Sequence, residues 1–86
     1  MTSPAHADDA RVVVYSRAEC HLCEQAERTV AEVVQETGDD WTRVDVDRDP
    51  DLVRRFTDQV PVIFVDGRQH DFWRVDPARL RAALAR

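Results

Sequence analysis

The chain has 86 residues, enough for one small domain with a single modest core, since a chain of this size buries little more than ~60% of its unfolded surface. Hydrophobic residues at 43% and charged residues at 34% fit an ordinary globule and exclude an intrinsically disordered chain. The net charge of −5 argues against a nucleic-acid groove or an anionic membrane surface as the main partner.

Met1 to Ala10 is small and polar, with Pro4 and two aspartates, and is expected to be a disordered N-terminal tail. It has neither the basic nor the apolar region of a signal peptide, and no run in the chain is long enough to span a bilayer. Two cysteines are too few for the disulfide framework of a secreted mini-protein, so the expected compartment is the cytoplasm, where a cysteine pair is more often catalytic or metal-binding than structural.

The domain proper is expected over residues 11–86. Val12, Val13, Val14 and Tyr15 form an apolar run without polar alternation, as in a central strand covered on both faces. Ser16 to Glu19 reads as a short loop. Apolar residues then recur at Leu22, Ala26, Val30, Val33 and Val34, the spacing of one buried helical stripe. Gly38 ends that helix in the left-handed position. Thr42, Val44 and Val46 alternate with Arg43 and Asp45, a half-exposed strand suited to a sheet edge.

Asp49-Pro50 marks a second helix start, with Leu52, Val53 and Phe56 on its inner face. Val60 to Val65 is another apolar run, which Pro61 must open because it cannot donate to a ladder. Asp66-Gly67 signals a two-residue hairpin with a return strand over Arg68–Trp73. Asp76-Pro77 launches a last helix with Leu80, Ala83 and Leu84 inward. The order β-α-β-α-β-β-α, with a helical crossover first and a hairpin later, predicts an α/β domain: a four-stranded mixed sheet flanked by helices.

The only two cysteines stand as Cys20-His21-Leu22-Cys23 between the first strand and the first helix. A thiolate in the first turn of a helix is stabilised by unpaired N–H groups and the positive dipole end. Cys20, nearer the helix N-terminus, is the expected nucleophile. Cys23 lies one turn inward on the same side, where it can attack a mixed disulfide formed at Cys20. Zinc prefers four ligands, and the chain offers two thiols and three scattered histidines, His6, His21 and His70, so no metal site is expected within one chain. His21 either raises thiolate character as a nearby cation or faces solvent. Trp41 and Trp73 read as packing residues, and Asp45 and Asp47 as strand-end and loop charges.

The order of elements, Tyr15-Ser16-Arg17 ahead of Cys20-His21-Leu22-Cys23, and Val60-Pro61 opening a later strand together resemble a glutaredoxin on a thioredoxin-like fold, most closely the small bacterial glutaredoxin-like proteins with a C-H-L-C site. The resemblance runs from about Arg11 to Arg86. It implies a thiol–disulfide oxidoreductase without bound cofactor, with Cys20 as nucleophile and Cys23 as resolving thiol. It puts Arg17 where glutaredoxins often carry a lysine that supports the thiolate and reaches a glutathione carboxylate. It implies a cis Val60–Pro61 bond beside the active site, with Val60 offering backbone groups to a bound peptide or glutathione. The sequence also departs from the family. His21 and Leu22 replace the usual Pro and aromatic, and Glu19 is a charge that opposes thiolate formation. Gln69-His70-Asp71-Phe72-Trp73 stands where glutathione users carry Gly-Gly and an acidic residue, which argues against glutathione as the reductant. The expected partners are a disulfide-containing protein or small thiol substrate and a reductase, acting on a monomer. The alternative is a non-catalytic binding module, or an iron–sulfur cluster carrier using Cys20 from two chains.

Overall fold

The computed structural model describes residues 10–56 and 58–85. Of the tail expected over residues 1–10, all but Ala10 lies outside the described residues. The elements are β1 (Val12–Ser16), α1 (His21–Thr37), β2 (Trp41–Asp45), a 3-10 turn (Val46–Arg48), α2 (Pro50–Phe56), β3 (Val62–Val65), β4 (Arg68–Phe72) and α3 (Pro77–Leu84). Among the described residues, no helix is long and apolar enough to cross a membrane.

The strands form one sheet in the order β2-β1-β3-β4. The β1–β2 pair, joined through α1, is parallel, whereas β1–β3 and β3–β4 are antiparallel. The sheet is therefore mixed, as the crossover and hairpin signals predict. Val12, Val13 and Val14 are buried in the middle of it, which is what the unbroken apolar run requires. On one face, Val12 and Val14 pack with Ala26, Val30, Val33 and Val34 of α1 and Leu80 and Leu84 of α3. On the other, Tyr15 and Phe64 lie against a smaller cluster of Val46, Phe56 and Val62. The three rings of Tyr15, Phe56 and Phe64 stack within 5.0 to 6.0 Å of one another, a spacing that adds edge-to-face attraction to simple burial.

Local chemistry sets the boundaries. Gly38 closes α1 at φ 79°, its N–H bonded to Val34 O. Asp66 and Gly67 both have positive φ, 52° and 83°, as a type I′ hairpin demands. Asp76 caps α3 by accepting from the N–H groups of Ala78 and Arg79. Several boundaries shift: Ser16, expected in the loop, ends β1, and β3 begins at Val62 rather than at Pro61. Val46 belongs to the 3-10 turn rather than to β2, because the Asp45 carboxylate accepts the Asp47 N–H at 3.0 Å and curls the chain out of the strand. Strand β4 ends at Phe72, one residue early, because Trp73 turns to φ 67°.

At the end of the sheet where β1 begins, Arg11 ties four segments together. Its guanidinium makes two bonds to Asp66 of the hairpin, both 2.9 Å, one to Asp39 after α1 at 2.9 Å, and one to Leu84 O at the end of α3 at 3.0 Å. Asp66 is held below the ordinary carboxyl value by its hydrogen bonds to Arg11. Asp39 is lowered by a hydrogen bond with Thr37 and then by Arg11.

Two outcomes are expected. Leu80→Ala, at a site with no solvent exposure, should cost about 2–5 kcal/mol in urea unfolding; a cost near zero would mean that α3 is not part of the core. Arg11→Met should lower the melting temperature at neutral pH. Since Asp39 and Asp66 have folded values below the ordinary 3.8, their contribution is complete above that pH and lost as pH falls through the folded values. The gap between wild type and Arg11→Met should therefore close in acid; a gap that persists there would show that the guanidinium acts by packing alone.

Candidate functional site

Strand register brings the sequence-predicted residues to one end of the sheet. The C-terminal residue of β1, Ser16, pairs with Asp45 at the C-terminus of β2. Tyr15 faces Val62 at the start of β3, and Val62 faces Phe72 at the end of β4. The cysteine loop, the 3-10 turn, Val60–Pro61 and Trp73 therefore all leave the sheet at the same end. Carboxyl ends of parallel strands are where open α/β sheets place their sites.

Cys20 is the N-cap of α1. Its backbone is extended (φ −116°, ψ 108°), and its sulfur accepts the N–H of Cys23 at 3.2 Å. Its carbonyl accepts the N–H of Glu24 at 3.0 Å, the first bond of the helix. Helix α1 consequently starts at His21. The sulfurs of Cys20 and Cys23 are joined as a disulfide, with Cα atoms 5.2 Å apart. The two differ in access: Cys20 is half-buried, whereas Cys23 is 1% exposed. Glu19, just before the pair, is in the left-handed region at φ 56°, a conformation that costs a non-glycine residue roughly 1–2 kcal/mol. Its side chain is exposed, so water screens much of its opposition to a thiolate at Cys20.

The Val60–Pro61 bond is cis, as the resemblance implies. Pro61 is buried and Val60 half-buried. The Pro61 carbonyl accepts the N–H of Trp73 at 2.8 Å, and the Trp73 indole N–H donates to Asp58 O at 2.9 Å. Trp73 thus pins the loop on both sides of Val60.

Comparison with known proteins places the chain in a family and a fold. The sequence pattern described as "Glutaredoxin-like domain (DUF836)" matches residues 11–85. The chain belongs to this glutaredoxin-like family. It is 40% identical over 81 residues to the uncharacterized protein Rv0508 of Mycobacterium tuberculosis, a match covering 88% of this chain and 84% of the relative. The X-ray structure of target protein XcR50 from X. campestris is similar at 33% identity and a TM-score of 0.71, covering 86% of this chain and 95% of that one. The holo form of glutaredoxin C1 from Populus tremula x tremuloides, at 23% identity and a TM-score of 0.57, covers 94% of this chain and 89% of that one, and shows the shared thioredoxin-like fold.

Within this glutaredoxin-like domain, the remaining candidates are placed unevenly. Arg17 is held by Asp47, with Nη2–Oδ1 2.7 Å and Nε–Oδ2 3.3 Å, and this hydrogen bonding raises its pKa. His21 is exposed and shares a 3.2 Å hydrogen bond with Gln25, one turn along. Leu22, expected inward, is 38% exposed, and Cys23 takes the buried position. At 100° per residue, both fall within about 60° of the direction of Ala26, so periodicity does not choose between them. Trp41 packs against the larger core as expected. Trp73 does not: it is 52% exposed and stacks edge-on against Phe72 at 5.0 Å. Leu22 and Trp73 face across a groove of about 220 Å³ that also contains Arg74 and Val75. Among the described residues, no group of three or more His, Cys, Asp or Glu side chains is arranged to hold a metal.

Sequence reasoning missed Asp47 as the partner of Arg17 and Trp73 as the clamp on the proline loop. The first is a contact across 30 residues; the second depends on a backbone conformation that a tryptophan rarely adopts. Arg17 and Cys20 are three residues apart, so their Cα atoms are at most roughly 11 Å from each other, about one Debye length. Asp47→Asn should remove the main counter-charge of the guanidinium and move the pH profile of Cys20 alkylation in the reduced protein acid-ward by roughly a few tenths of a pH unit. Adding Arg17→Met should reverse the change. A profile indifferent to both substitutions would make Arg17 an ordinary surface arginine.

Proposed function

We propose that this glutaredoxin-like domain is a dithiol thiol–disulfide oxidoreductase, with Cys20 as nucleophile and Cys23 as resolving thiol. The observation that carries the reading is the Cys20 sulfur at the N-cap of α1, accepting a helix N–H, with the buried Cys23 sulfur within bonding distance. Unpaired N–H groups and the helix dipole stabilise negative charge at Cys20 and so favour its thiolate. The unequal access of the two sulfurs supports the division of roles: only the more accessible one can meet a bulky disulfide.

In the first step the Cys20 thiolate attacks one sulfur of the substrate disulfide. That S–S bond breaks, one substrate thiolate leaves and takes up a proton, and Cys20 is held in a mixed disulfide. Cys23 then loses its proton and attacks the Cys20 sulfur, releasing the second substrate thiolate. Two electrons have passed to the substrate, and the protein is left with the Cys20–Cys23 disulfide. A reducing dithiol, or two monothiols in sequence, resets it. Arg17, His21, Val60 and Pro61 are the candidates for holding the substrate beside Cys20. The stretch Gln69–Trp73 carries neither the paired glycines nor the acidic residue after them that would hold a γ-glutamyl end, which favours a reductase-type protein over glutathione as the reductant.

The test compares reduction of a small disulfide and of a disulfide-bonded protein, recycling the enzyme with glutathione or with thioredoxin and its reductase. Cys20→Ser should abolish turnover in every arrangement, and Cys23→Ser should accumulate a mixed disulfide visible by mass spectrometry. Turnover that survives Cys20→Ser would remove the assignment. A coloured dimer from anaerobic purification, inactive towards disulfides, would replace it with cluster carriage.

A further inference from the structure

Two buried side-chain atoms among the described residues have no hydrogen-bond partner, Oγ of Ser16 and Nε2 of His70. His70 lies on edge strand β4, where the register skips from Asp71 to Gln69, and burial lowers its pKa. Ser16 is different. Among the described residues it is the only buried polar one, with no exposure at all, and it ends the central strand four residues before Cys20. A hydroxyl in such a position carries a desolvation cost that one hydrogen bond would remove, and a persistent unpaired group calls for an explanation.

Strand alternation places Ser16 on the same face of β1 as Val12 and Val14, the face that packs against α1. At that end of β1 the buried residue of α1 is Cys23, the first of the stripe Cys23, Ala26, Val30, Val33 and Val34. In the oxidised protein the Cys23 sulfur is committed to the disulfide and is a weak acceptor. Reduction by an external dithiol adds two electrons and two protons, breaks the S–S bond and leaves a buried sulfur that becomes a thiolate when it resolves a mixed disulfide. That sulfur then needs a donor.

We propose that Ser16 is a positioning residue for the redox couple: its hydroxyl, unpaired in the disulfide form, donates to the Cys23 sulfur once the bond is broken. The inference rests on the reading above only in requiring that Cys20 and Cys23 cycle between disulfide and dithiol. A bond present in the reduced form alone stabilises that form, so Ser16 makes the couple more oxidising and makes the Cys23 thiolate easier to form.

The experiment equilibrates the wild-type, Ser16→Ala and Ser16→Thr proteins with reduced and oxidised dithiothreitol and counts free thiols, a measurement that needs no substrate turnover. Ser16→Ala should shift the equilibrium about tenfold towards the disulfide, which for a two-electron couple is roughly 30 mV more negative. Ser16→Thr, which keeps the hydroxyl, should stay close to wild type. In a Cys20→Ser background, Ser16→Ala should also move the titration of Cys23 to higher pH. Oxidised Ser16→Ala should melt no lower than wild type, because it loses only an unpaired group, whereas its reduced form should melt lower. An unchanged equilibrium, a threonine variant that behaves like alanine, or an equal loss of stability in both redox forms would each overturn the proposal. Inactivity towards every disulfide, with these shifts intact, would instead count against the proposed function.

Discussion

Val12, Val13 and Val14 sit where water reaches neither face of the sheet, and a strand in that position needs a paired strand on each side and a layer of side chains above and below. Almost everything else follows from meeting that demand with few residues. The crossover helix α1 and the terminal helix α3 cover one face, and α2 with the aromatic trio of Tyr15, Phe56 and Phe64 covers the other. Arg11 closes the far end by joining the hairpin, the loop after α1 and the last turn of α3. The near end, where β1 hands the chain to α1, is left for chemistry.

At that near end one atom serves two purposes. The Cys20 sulfur is the cap that α1 would otherwise obtain from a serine or aspartate oxygen, and in the proposed function it is also the nucleophile. The N–H of Cys23 that it accepts both satisfies a helix terminus and lies ready for a negative sulfur. Around it the backbone is unusual: Glu19 and Trp73 hold positive φ, and Val60–Pro61 is cis. A positive φ at a residue other than glycine persists only where the surrounding structure holds it in place. Here the holding groups are visible in the two hydrogen bonds from Trp73 to the proline loop and in the salt bridge from Asp47 that holds Arg17.

Much of this was legible from the residues. Strand β1, the buried stripe of α1, the two Asp-Pro helix starts and the Asp-Gly hairpin each carry a local signal, since their reasons lie within a few residues along the chain: β-branched runs, helical spacing, a fixed proline φ, a glycine free to turn left-handed. The C-x-x-C pair and its place at a strand-to-helix junction were equally open to view. Boundaries moved where a side chain competed with the ladder, as Asp45 does at Val46 and the turned backbone of Trp73 does at the end of β4. The rest was not legible because it depends on residues distant in sequence. Nothing around Asp47 announces Arg17, and nothing in Leu22 or Cys23 tells which of them the sheet will cover.

The sequence by itself determined a small α/β fold with a cysteine pair at a helix start, because hydrophobic period, capping chemistry and turn residues act locally. Only the tertiary structure decided which sulfur is reached from outside, where the proline loop lies, what holds Arg17, and that a serine hydroxyl is shut in at the end of the central strand without a partner. Burial and long-range pairing are properties of the packed sheet and helices, and no stretch of chain contains them alone.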